Sequence, residues 1–109
     1  MKNVKIVVAD IRLFAVDKNK ILSRIAPCYV EKYHKYKIQR DADQELVSGY
    51  LLQKYLGIYQ DKQLVYNEKG KPFLASGKKY FNISHSGDYV VLVIADCDVG
   101  IDIEKIRTY

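Results

Sequence analysis

The chain has 109 residues, 49% apolar and 28% charged, with a net charge of +5. That length holds one domain around a single core, and the balance is that of a globular protein rather than a disordered one. No apolar run approaches the ~20 residues that span a bilayer, and the two histidines, His34 and His85, are too few for a His-rich zinc site.

Met1-Lys2-Asn3-Val4-Lys5 leads into a short apolar stretch broken by Asp10. This reads as a first strand and not a signal peptide, so the expected compartment is the cytoplasm. The strand is expected over Val4 to Phe14. Asp17 can cap a short helix carrying Ile21, Leu22 and Ile25, which stops before Pro27. A second helix is expected from Pro27 to about Lys37, strongly basic through Lys32, His34, Lys35 and Lys37.

The clearest helix runs from Asp41 to about Leu56. Asp41 can serve as N-cap with Gln44 as the capping-box partner. Val47, Leu51 and Tyr55 form one apolar row, and Gly57 supplies the stop. Leu64 to Phe73 reads as a loose hairpin around Asn67-Glu68-Lys69-Gly70. Two cysteines, Cys28 and Cys97, match no metal-ligand spacing and read as free thiols.

The last third carries the chemistry. Phe81 to Ser84 reads as a short strand and His85-Ser86-Gly87-Asp88 as a turn. Tyr89 to Ala95 has no charge and should be a strand buried on both faces. After a turn at Asp96-Cys97-Asp98, Val99 to Glu104 alternates, with Asp102 and Glu104 projecting from one face. Two carboxylates held side by side repel unless a cation lies between them. Mg²⁺ suits them, because it takes one or two carboxylates and fills its shell with water and phosphate oxygens.

Alone, an Asp-x-Glu is more often a solvated edge strand. An antiparallel meander of the last three strands, however, would bring the His85 turn and the carboxylate pair to one end of the sheet. Backbone N–H groups and serines of that turn can donate to phosphate oxygens, and a protonated His85 adds a charge-assisted bond. Gly70-Lys71-Pro72 supplies a further cation, although by itself it is an ordinary hairpin turn. The positive surplus attracts anions but equally describes a solvated surface. No aromatic and basic alternation argues for nucleic acid.

Gly70-Lys71-Pro72, then Phe81-Asn82-Ile83-Ser84-His85-Ser86-Gly87, then Gly100-Ile101-Asp102-Ile103-Glu104 together resemble the conserved blocks of the 4′-phosphopantetheinyl transferase superfamily, in its two-lobed type. The resemblance covers essentially the whole chain, residues 1–109, but only the N-terminal lobe of the family fold. It implies an α+β lobe: a mostly antiparallel sheet with helices on one face. It implies transfer of 4′-phosphopantetheine from coenzyme A to a serine of an acyl or peptidyl carrier protein, dependent on Mg²⁺, with release of 3′,5′-ADP.

Asp102 and Glu104 would ligate the metal and act in catalysis. Ser84 and His85 would contact coenzyme A phosphates. Lys71 would border the adenine and phosphate end, with Lys32 a further phosphate contact. Two departures stand out. The family's Trp-x-x-Lys-Glu block is missing, since the chain has no Trp. The arginine usual near the start of the third helix is replaced by Gln44-Glu45.

The reading is therefore half of an enzyme, cut short or naturally half-length, with little or no activity alone. A C-terminal lobe would complete it; a second copy in a homodimer would supply a second lobe of similar fold, but not the missing glutamate and lysine unless other residues replaced them. The alternative is a non-catalytic module that binds coenzyme A or a carrier protein.

Overall fold

The computed structural model describes residues 3–96. Strand β1 (Val4–Asp10) is followed by a 3-10 turn, then by helices α1 (Lys18–Leu22), α2 (Pro27–Lys35) and α3 (Gln39–Leu56). A hairpin of β2 (Leu64–Tyr66) and β3 (Pro72–Leu74) comes next, and then β4 (Tyr80–Ser86) and β5 (Tyr89–Ala95). The main sheet is antiparallel in the order β1-β5-β4, and β2 pairs with β3 in a separate antiparallel ladder. The architecture is α+β, a single lobe with helices on one face of the sheet. No helix among the described residues is long and apolar enough to cross a membrane.

The uncharged run Tyr89–Ala95 becomes the central strand because both its neighbours pair with it. Alternation points Val90, Leu92 and Ile94 at the helices, where they join Leu46, Leu51 and Leu52 of α3 in the core. Val93 and Ala95, on the opposite face, are also buried between the flanking strands, whereas Tyr89 at the start of the strand is exposed. The same alternation in β1 turns Val7 and Ala9 inward and Val4, Ile6 and Val8 outward. Ile6 and Val8 stay 63% and 62% exposed, so the outer face carries apolar surface that nothing described covers.

Several boundaries differ from expectation for identifiable reasons. β1 stops at Asp10 rather than Phe14. The Asp10 carboxylate accepts from the Arg12 backbone N–H at 3.0 Å and from its guanidinium at 2.7 Å, which caps the 3-10 turn Ile11–Phe14. α1 ends at Leu22, so the buried Ile25 lies beyond it. α3 begins two residues before Asp41. Ile38 is its N-cap without a side-chain bond, and Asp41 lies in the first turn, where its charge complements the helix dipole. Gln44 closes no capping box. Its side chain is buried and donates to the Gly87 carbonyl at 2.8 Å.

Gly57 ends α3 in the left-handed region, as expected. β4 runs through Ser86, because its ladder with β5 continues to Ser86 opposite Tyr89. The turn is only Gly87-Asp88, and Gly87 has φ 57°, the position where a two-residue hairpin loop wants glycine. The expected turn at 96–98 and strand at 99–104 lie outside the described residues.

That turn is tied down from several directions. Ile11 N–H donates to the Asp88 carbonyl at 2.8 Å, and the Asp88 carboxylate lies 3.7 Å from Arg12 and 3.8 Å from Arg40. The end of β4 is thereby fixed against α3 and the start of the chain.

Candidate functional site

Helix α2 starts with Pro27 in its first turn and packs its Tyr29 face against α3. The approach is close because α3 carries Gly49 there. A Cβ at that position would lie 2.9 Å from the Tyr29 Cβ. Lys32 sits one turn beyond Tyr29, with its ammonium 4.9 Å from the centre of the Tyr29 ring. The ring face holds the cation without neutralising it.

His85 reaches the same place from the sheet. Strand parity puts it with Phe81 and Ile83 on the helix side, opposite Val90. Lys32 and His85 both line a cleft of about 180 Å³ between α2, α3 and the β2–β3 hairpin. Tyr66, Gly70 and Pro72 form the hairpin's wall, while Glu45 and Ser48 come from α3. Gly70 has φ 82°, which a residue with a Cβ rarely adopts, and Asn67 holds the loop by accepting from the Lys71 N–H at 2.9 Å. An ammonium and an imidazole meeting polar hydroxyls and one carboxylate suit an anionic ligand that also offers hydrogen-bond donors.

The sequence-predicted residues separate as follows. Lys32 and His85 are brought together. Lys71 lies between two cleft-lining residues, Gly70 and Pro72, and its ammonium sits 5.3 Å over the Phe73 ring. Ser84 points to the other face of the sheet, opposite Val91, so it does not share the wall that His85 occupies. Asp102 and Glu104 lie outside the described residues. Among the described residues no three His, Cys, Asp or Glu side chains gather into a metal-holding group.

Sequence reasoning missed Tyr29 and Tyr66 as cleft residues. Tyr29 could have been found from its place one turn before Lys32. Tyr66 could not, because it reaches the cleft only through the fold of the hairpin. Glu45 stood out in sequence as a departure, and the structure places it in the cleft wall.

Beneath the cleft, the Cys28 N–H donates to the Asp61 carboxylate at 2.8 Å. Burial pushes the Cys28 thiol up to about 11, and the Asp61 charge adds to the effect. Burial likewise raises the Tyr29 and Tyr66 hydroxyls. Only the thiolate attacks an alkylating reagent. In a Cys97→Ser background at pH 8, Cys28 is therefore expected to react with iodoacetamide about a hundredfold more slowly than a free thiol. Asp61→Asn should speed the reaction. Labelling followed by mass spectrometry reads both, and a rate equal to that of free cysteine would contradict the burial.

Residues 16–97 match the family model described as 4′-phosphopantetheinyl transferase, N-terminal. The chain is 37% identical over 93 residues to the 4′-phosphopantetheinyl transferase gsp of Aneurinibacillus migulanus, covering 81% of this chain and 39% of that protein. It is 31% identical over 97 residues to the transferase Sfp of Bacillus subtilis strain 168, covering 84% of this chain and 43% of the relative. A shorter segment of 47 residues is 51% identical to the transferase AcpT of Salmonella typhimurium strain LT2, covering 41% of this chain and 24% of AcpT. The chain thus spans less than half the length of these relatives.

Proposed function

The chain belongs to the 4′-phosphopantetheinyl transferase family as its N-terminal domain, and from that premise we propose that it supplies the coenzyme A-binding half of a Mg²⁺-dependent transferase. The complete protein would move 4′-phosphopantetheine from coenzyme A to a serine of an acyl or peptidyl carrier protein in the cytoplasm. The observation that carries this reading is the meeting of Lys32 and His85, distant in sequence, in one cleft beside the Gly70–Pro72 loop.

In this reading Lys32 and His85 hold the phosphates, and Lys71 borders the adenine end from the hairpin. Ser84 faces away from that wall, so any phosphate it meets approaches from the other face of β4. Asp102 and Glu104 would hold Mg²⁺, and their hard oxygen donors are the kind it takes. The metal would neutralise charge gathering on the pyrophosphate during displacement. The protein's own contribution is to fix that pyrophosphate between cations so the phosphorus is presented to the incoming serine hydroxyl. A second lobe, or a second copy of this chain, would seat on the apolar outer face formed by Val4, Ile6 and Val8. This chain alone is expected to transfer little or nothing.

A second reading rests on Glu45 and Gln44. Glu45 adds a carboxylate to an anion-accepting wall, and Gln44 is committed to the Gly87 carbonyl. Both features would suit a module that binds coenzyme A or a carrier protein without catalysis.

Calorimetric titration with coenzyme A, with and without Mg²⁺ at fixed ionic strength, separates the two. The transferase reading expects tighter binding with Mg²⁺ and loss of that gain in Asp102→Ala. Binding that ignores Mg²⁺ would favour the module. No binding in either condition would sink the coenzyme A assignment for this chain.

A further inference from the structure

The walls of the cleft differ in hydrogen-bonding character. Lys32 from α2 and His85 from β4 can donate. The wall supplied by α3 can only accept. Glu45 brings a carboxylate there, and it makes no ion pair among the described residues. Burial chiefly raises the Tyr29 hydroxyl, and the nearby Glu45 charge adds to the effect. The Ser48 hydroxyl donates its proton to the Gln44 carbonyl at 2.7 Å, so its oxygen has only lone pairs left to offer. Gln44 itself is committed elsewhere, since its buried amide donates to the Gly87 carbonyl at 2.8 Å.

The charges of the cleft point the same way. Among its described lining residues Lys32 is the only permanent cation and Glu45 the only carboxylate. The Lys71 ammonium lies over the Phe73 ring, and the one arginine of α3, Arg40, faces the Asp88 carboxylate at 3.8 Å. Coenzyme A brings a pyrophosphate and also a 3′-phosphate, a monoester that alone carries a charge of about −1.5 to −2. Lys32 and His85 can serve the pyrophosphate. A second phosphate against α3 would set oxygen acceptors against acceptors, and its charge against Glu45. A free ribose diol reverses both effects. In dinucleotide-binding folds an acidic side chain accepts from the ribose hydroxyl, and an arginine takes its place when that ribose is phosphorylated.

Resting on the reading of this chain as a coenzyme A-binding half, we propose that the cleft prefers 3′-dephospho-coenzyme A to coenzyme A, with Glu45 accepting from the free ribose hydroxyls. Lys32 and His85 hold the pyrophosphate, and α3 reads the sugar. Glu45 is then the residue that sets specificity. The replacement of the usual arginine by Gln44-Glu45 becomes a change of ligand rather than a weakened grip on the same one.

The test titrates the whole chain calorimetrically with each ligand at one ionic strength and one Mg²⁺ concentration. The dephospho form is expected to bind about tenfold tighter or more. Glu45→Gln keeps the shape and removes the charge, and its effect should change sign with the ligand. Binding of the dephospho form should weaken about fivefold to tenfold, while coenzyme A binds more tightly. Glu45→Arg should invert the preference. Glu45 is only half-buried, so circular dichroism should show both variants folded. Coenzyme A binding as tightly as the dephospho form would overturn the preference and leave the coenzyme A reading intact. Failure of both ligands to bind would overturn the two together. If Glu45→Gln tightened coenzyme A and left the dephospho form unchanged, repulsion alone would be at work, and the ribose contact would be refuted.

Discussion

Lys32→Ala is expected to lower coenzyme A affinity tenfold to a hundredfold, with His85→Ala doing the same. Each removes a charge-assisted contact of about 1.5–3 kcal/mol to a phosphate. Because both side chains line one cleft, their losses should couple, so the double variant should lose less than the product of the two singles. Calorimetry on the three variants checks this at one ionic strength, since salt alone moves such contacts. Strict additivity with no loss beyond twofold in either single variant would remove Lys32 and His85 from the site. Glu45→Gln provides the opposite sign: withdrawing its carboxylate from the wall should tighten binding.

Gly49→Val should cost about 2–3 kcal/mol of stability and disturb the cleft as well. Alanine at a helix interior would otherwise gain up to about 1 kcal/mol over glycine. Here that gain is outweighed, because the new Cβ would meet the Cβ and Cγ of Tyr29 at 2.9 and 3.1 Å. Those atoms sit close to the α2 backbone and cannot swing aside, so the helix must move, and overpacking of this kind costs about 1–3 kcal/mol. Valine adds two methyl groups to the same clash. The expected readout is a thermal midpoint lower by about 10 °C or more, together with weaker coenzyme A binding, since Lys32 rides on the displaced helix. Leu92→Ala is the control. It opens a cavity under a residue with no exposed surface and costs about 2–5 kcal/mol, but it does so away from Lys32. An unchanged midpoint in Gly49→Val would mean that α2 and α3 are packed less closely than described.

Much of the fold was legible in the sequence. The uncharged run Tyr89–Ala95 could only be an inner strand, and the apolar rows of α3 with Gly57 as stop gave that helix its length to within two residues. What misled was local chemistry with two valid uses. Asp10 caps a turn where the apolar pattern alone would continue a strand. Gln44 looked like a capping partner, but α3 had already begun, and its amide found a buried carbonyl instead. His85 sat among turn-forming residues, yet the β4–β5 ladder held it in register. The site was half legible. Pattern and resemblance marked His85, Lys32 and the Gly-Lys-Pro loop, while the separation of Ser84 from His85 depended on strand parity, which a turn assignment erases. Tyr66 reached the cleft through tertiary folding that no short-range signal encodes.

The ladder between β1 and β5 has a temporal meaning. Among the described residues β1 pairs with β5 alone, from Val4 opposite Ala95 to Asp10 opposite Tyr89. The first strand described therefore waits for the last one described. At about 5–20 residues per second, and with part of the chain still hidden in the exit tunnel, the helices can form while β1 remains unpaired, with Val7 and Ala9 not yet buried beside the exposed Ile6 and Val8. The nascent chain thus presents an open, apolar strand for seconds before its partner emerges. That places the molecule's most vulnerable moment during its synthesis, when a chaperone at the ribosome would find Val4–Val8 a natural substrate.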